Sequence, residues 1–238
     1  NQIRDLSKEA FLKPTIQLYT RGHWKPGTSD HSLFMDTMQG LMALPAEFRQ
    51  KNFPPKMETN RKVQSNFYKL VRELQRRLRL AVRERLLANI VTPAGDLIEE
   101  GNVPNLHQLA RSIFRFLHPD EATMTDSEVD DNIPVLLLTR IGHLRLQTID
   151  QLLHSEIKKV SQWNMINETL REVRGRGSDY QAAFGKAILA KDHALFGHSR
   201  SFVEILEEDE ENIKMPDDDE IQVQLNQIIR EQLQARHS

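Results

Sequence analysis

Cysteine is absent from all 238 residues. That excludes disulfides, zinc–thiolate sites, iron–sulfur clusters and cysteine nucleophiles together. Aromatic side chains are few, with three Tyr and two Trp, and β-branched alternation is rare, so strand signals are scarce. No apolar run approaches the length that crosses a bilayer, and no membrane span is expected. Net charge is small as well. Thirty-two basic against 34 acidic side chains leave −2, which excludes a uniformly basic nucleic-acid binder but not local patches. No signal-peptide pattern is present, and a chain that begins at Asn1 leaves a removed N-terminus open. Without cysteine, the expected setting is soluble and intracellular, cytoplasmic or nuclear.

What the sequence does contain is apolar periodicity at spacings of three and four, the helical signature. A first helix is predicted from Ile3 to Leu12, ahead of Pro14. Arg21–Asp30 reads as a loop from its Gly and Pro content, with Ser29 or Asp30 placed to cap a helix carrying Leu33, Phe34, Met38, Leu41 and Met42. Met35, Met38 and Met42 fall at core spacing, which favours packing over a binding groove. An arginine-rich helix follows from about Arg61 to Ile90. The apolar pairs Ile90-Val91 and Leu97-Ile98 flank a turn and leave room for a small β-hairpin at 90–98. Pro104 is expected in the first turn of the next helix, which His118-Pro119 stops.

Asp120–Asp131 is acidic and poor in large apolar groups, so it is the expected internal boundary. The predicted organisation is a helical region over 1–125 with the basic helix, and a second over 126–238. In the second, Leu146, Ile149, Leu153, Ile157, Val160, Trp163, Ile166, Leu170 and Val173 read as one stripe on a long central helix. Ser178 or Asp179 is expected to cap the next helix. Glu207–Glu220 is strongly acidic, and Ile221, Leu225, Ile228, Ile229 and Leu233 make the last helix amphipathic. The fold class that follows is all-α: a multi-helix bundle, in one body or two packed subdomains.

Chemistry is harder to find. Gly177–Lys186 has seven residues between its glycines where a phosphate-binding loop has four, and Ala187 occupies the place of the metal-binding hydroxyl. No nucleophile-elbow serine motif occurs. The nine histidines show no metal-ligand spacing, and no calcium-loop spacing organises the acidic run. Asp150 and His154, one helical turn apart, are expected to pair. Asp192, His193 and His198, in a loop-like stretch, are the next cluster, and an enzymatic site there requires a pocket holding His193 beside a carboxylate. No cofactor is implied.

The distinctive stretch is RELQRRLRLAVRERLL, Arg72–Leu87. On a helical wheel Lys69, Arg72, Arg76, Arg79 and Arg83 share one strip about 21 Å long, while Phe67, Leu70, Val71, Leu74, Leu78 and Ala81 lie across from it. Glu73 is the acid best placed to neutralise them. Beyond Leu86 the pattern changes phase, which bounds the ridge. A second cationic spot, Arg174 and Arg176, flanks glycines just before a helix start, where an anion is favoured or the chain merely turns. The leading expectation is a non-catalytic helical interaction or scaffold subunit that binds partner proteins through the ridge and its amphipathic helices, with self-association open. The alternative is a nucleic-acid-associated protein whose ridge contacts phosphates and whose acidic segment competes for it.

Overall fold

The computed structural model describes residues 2–20, 31–154 and 160–236. Among them the fold is an all-α multi-helix bundle of eleven α-helices. There is no sheet among the described residues, and three isolated bridges pair Leu18 with Ser32, Val91 with Leu97 and Asn102 with Ser201. The chain divides into two compact units, Asn1–Val82 and Arg83–Ser238.

The first unit holds α1 (Gln2–Phe11), α2 (Leu33–Ala43), α3 (Ala46–Asn52) and α4 (Arg61–Leu86) as far as Val82. Ser32, not Ser29 or Asp30, caps α2, its Oγ accepting from the Met35 amide at 3.1 Å. The expected caps and the loop Arg21–Asp30 lie outside the described residues. Leu44 ends α2 just before Pro45. Phe34, Met38, Leu41, Met57, Phe67 and Val71 form the core, with Met42 packed at its edge. The methionines fill space, as their spacing predicts.

A buried polar contact ties α4 to α2 in this unit. Gln75 is buried, and its amide donates to Leu33 O at 3.0 Å and Thr37 Oγ1 at 2.9 Å. Thr37 in turn donates to Leu33 O at 2.7 Å.

The second unit contains the end of α4, then α5 (Leu106–Leu117), α6 (Asp126–Asp131), α7 (Val135–Leu153), α8 (Gln162–Gly175), α9 (Ser178–Phe196), α10 (Phe202–Asp209) and α11 (Asp218–Arg236). Helices α5, α7, α8 and α11 all pack on α9. Ile90, Leu146, Ile149, Phe184, Ile188, Phe202 and Ile221 are among the core residues. At the centre, fully buried Arg145 of α7 donates Nε to Asp192 Oδ2 of α9 at 2.8 Å, pairs through Nη2 with Oδ1, and reaches Pro104 O at 2.6 Å. Its guanidinium also lies over the Phe196 ring at 4.3 Å.

Several expectations are corrected here. The acidic stretch near residue 125 does not coincide with the division of the chain. It is held inside the second unit because Arg111 bonds Asp130 at 2.5 Å and Asp126 at 2.8 Å, and Arg115 bonds Asp126 at 2.7 Å. The single long helix through Leu146–Val173 is two helices. His154 leaves helical geometry after Leu153, and Ser161 caps a new start by accepting from the Asn164 amide. Ile157 of that stripe lies outside the described residues. The small hairpin allowed at 90–98 is present in outline: Val91 bridges Leu97 antiparallel, Thr92 N donates to Asp96 O at 2.8 Å and Ile98 N to Ile90 O at 3.0 Å. Asn105 rather than Pro104 starts α5, in a capping box with Gln108. Gly177, at φ 83°, starts α9 in place of Ser178 or Asp179, because the reversal from α8 needs a conformation that side chains resist.

Candidate functional site

The site grows from the phase of α4. Phe67, Val71, Gln75, Leu78, Val82 and Leu86 are its buried positions, while Leu70 and Leu80 stay half exposed at 50% and 49%. The inward face is therefore rotated by about 60° from the one the leucines suggest, toward the basic strip. The rotation has a physical cause. Gln75 finds two acceptors in α2, so a polar side chain can sit on the inward face where Leu70 was expected.

Because of that rotation the five ridge cations do not share one environment. Lys69 is exposed and makes no hydrogen bond or ion pair with any described residue. Arg72 lies over the Phe34 ring at 4.7 Å. Arg76 grips Glu73 in a fork, both contacts at 2.9 Å, and Arg77, off the ridge, joins the same carboxylate at 3.1 Å. Those bonds hold the Glu73 carboxyl down at about 2.

Arg79 turns inward, donating Nη1 to Tyr19 O at 2.8 Å. Burial lowers its affinity for its proton, and the charge of Arg76 adds to this. Arg83, in the second unit, donates Nε to Gln162 Oε1 at 2.6 Å, and Gln162 donates to Thr148 Oγ1 at 2.9 Å. Burial lowers the Arg83 pKa as well, with Glu84 opposing.

In the first unit these side chains border a shallow cavity of about 290 Å³ lined by Tyr19, Thr20, Phe34, Lys69, Arg72, Glu73, Gln75, Arg76 and Arg79. Four cations and one carboxylate face it. Tyr19, Thr20, Phe34 and Gln75 were missed as neighbours of the ridge. Gln75 had a signal, since it continues the 67–71–75–78–82 stripe. The others come from a different part of the chain, and α4's own pattern carries no trace of them.

Elsewhere the candidates disperse. Arg176 pairs with Glu172 at 3.0 Å and Asp218 at 3.8 Å and stacks on Tyr180 at 4.9 Å. Arg174 has its pKa lowered, first by burial and then by Arg140. The acidic segment is engaged by cations of its own unit. Arg200 bonds Glu208 at 2.6 Å and Asp209 at 3.1 Å, and Lys191 bonds Glu220 at 2.8 Å.

Asp150 and His154 pair at 3.0 Å, as their spacing predicts. The stretch holding Asp192 and His193 is the end of α9, not a loop. His193 is exposed at the rim of a cleft that Asp192 also lines, but the Asp192 carboxylate is buried and taken up by Arg145. No three His, Asp or Glu side chains gather at metal-holding distance among the described residues, and no helix is long and apolar enough to cross a membrane. No family model, curated protein or solved structure matches this chain.

Proposed function

We propose that this chain is a non-catalytic helical interaction protein, a subunit or adaptor of a larger assembly, that holds an acidic protein surface against the outward cations of α4. The observation that carries the proposal is the charge imbalance at one exposed place. Lys69, Arg72, Arg76 and Arg77 surround a single carboxylate, Glu73, with half-exposed Leu70 and Leu80 alongside. An acidic surface with apolar neighbours complements such a strip in both charge and hydrophobicity. On α11, Val223, Ile229 and Leu233 also stay exposed, and they supply further apolar area for association.

Phosphates of a nucleic acid are the competing ligand. Two observations weigh against them: Arg79 and Arg83 are turned into protein contacts, which shortens the row able to follow a backbone. The test is a pair of titrations of the full chain, one with labelled polyglutamate and one with a labelled duplex, each at rising salt. The expected result is polyglutamate binding that weakens with salt and is abolished by combined Lys69→Glu, Arg72→Glu and Arg76→Glu, with little duplex binding. Duplex binding with a steep salt slope favours the nucleic-acid reading, and binding to neither ligand sinks both.

A further inference from the structure

The cavity beside α4 gathers more cations than its one carboxylate balances. Its four cations stand against one carboxylate, Glu73, and that carboxylate already accepts from Arg76 and from Arg77 outside the cavity. Arg79 is the telling member. Its guanidinium is half-buried and bonds one neutral carbonyl, Tyr19 O. Its remaining N–H groups make no hydrogen bond to any described residue. A partly desolvated cation without a counter-charge is costly unless a ligand supplies one. Across the cavity Lys69 is likewise without a bonded partner among the described residues. Arg72 is fixed in position by the Phe34 ring beneath it.

We infer that this cavity receives a phosphate monoester carried on a partner protein, as phosphoserine or phosphothreonine, with Arg79 and Lys69 supplying the direct contacts and Arg72 and Arg76 the surrounding positive field. The inference rests on the partner-binding reading of α4 and narrows it to one chemical group. A monoester carries close to two negative charges and three acceptor oxygens at neutral pH. It therefore offsets the excess of cations better than one carboxylate does, and it matches the planar fork of an arginine. The shape argues for a group attached to a larger body. Sites for free small molecules bury most of their ligand, whereas this cavity is shallow, open, and bordered by the exposed strip of α4 on which the rest of a partner can lie.

The experiment titrates the full chain with three labelled peptides identical except for Ser, Glu or phosphoserine at one position, and with inorganic phosphate alone. The expected order is phosphoserine tightest, by about tenfold or more over Glu, since hydrogen bonds to a charged group are worth more than one tenfold step. Lys69→Gln and Arg79→Gln each reduce that preference severalfold, while Lys51→Gln, exposed on α3 and outside the cavity, leaves it intact. Lys69→Gln removes no bond to a described residue, so it reads the site even where Arg79→Gln disturbs folding.

Equal binding of the Glu and phosphoserine peptides overturns the phosphate inference and leaves the acidic-partner reading standing. A preference that survives both cavity variants, or inorganic phosphate binding as tightly as the peptide, also overturns it. Failure of all three peptides where polyglutamate binds removes this inference alone, and failure of polyglutamate as well removes both.

Discussion

Gln75 shows how one side chain resets a helix. A stripe of leucines invites the eye to place Leu70 and Leu74 inward, but Gln75 is the residue with acceptors waiting in α2. Its two donated bonds make the inward rotation of α4 affordable and leave Leu70 and Leu80 facing out. Gln75→Leu keeps the volume and removes both donors, so Thr37 Oγ1 and Leu33 O each lose one bond. The expected cost is about 1–3 kcal/mol, measured as a shift in the urea midpoint. An unchanged midpoint would mean that the network does not fix the rotation. Arg79 follows from the same geometry. It belongs to the basic strip by spacing, but the rotation aims it at Tyr19 O and away from bulk water.

At the scale of elements, the join between α7 and α9 depends on Arg145 and Asp192. Both are buried, so each charge relies on the other. Gly142 allows the close approach, since a Cβ there would meet Ile188 Cγ2 at 3.0 Å. Asp192→Asn strands a buried guanidinium and is expected to cost about 3–5 kcal/mol. Pairing Arg145→Met with Asp192→Leu should recover most of that loss, and a double-mutant cycle by chemical denaturation checks both values.

Helix existence was legible from periodicity, whereas the starts expected at Ser29 or Asp30, at Pro104 and at Ser178 or Asp179 are capped by Ser32, Asn105 and Gly177. The runs N-L-H-Q, T-D-S-E and S-F-V-E at Asn105, Thr125 and Ser201 all form reciprocal capping boxes. The break between α7 and α8 was not legible. Leu146, Ile149 and Val173 end up in one core although they lie on two helices, so their spacing imitates a single stripe. The Arg145–Asp192 pair was equally hidden, since nothing local distinguishes a buried arginine from an exposed one on a helix.

For the molecule as a whole, acid sensitivity has two sources with the same sign. His143 is fully buried, its Nε2 finds no hydrogen-bond partner among the described residues, and burial, with Arg140 adding, lowers its pKa from 6.5 to about 3. The unfolded chain takes up this proton as pH falls below 6.5 and the folded chain refuses it, so stability declines from there toward pH 3. Asp126, Asp130, Glu128 and Glu204 are held below their ordinary values, the first two by arginines and the others by capping bonds. Their contribution is full above their ordinary values and is lost as pH falls through and below them, which overlaps the acid end of the His143 window. Asp36 opposes them, because burial, countered by His31 and Lys13, raises its pKa. His143→Leu is expected to flatten the fall in the urea midpoint between about pH 7 and about pH 5, where the carboxylates are still ionised. A slope equal to that of the unaltered chain would show that another group sets it.

Sequence alone determined the fold class, the lack of thiol chemistry and the concentration of cations on α4. Those properties are local: composition, a period of three to four, and capping residues act within a few positions of one another. Tertiary structure decided where the chain divides, which face of α4 turns inward, and which of its cations remain outside. These outcomes depend on partners distant in sequence. Gln75 meets α2, Arg79 meets Tyr19, and Arg111 draws in the acidic stretch that looked like a boundary. A one-sided basic helix is written in the sequence, but the cavity beside it exists only once Tyr19 and Phe34 are folded against it.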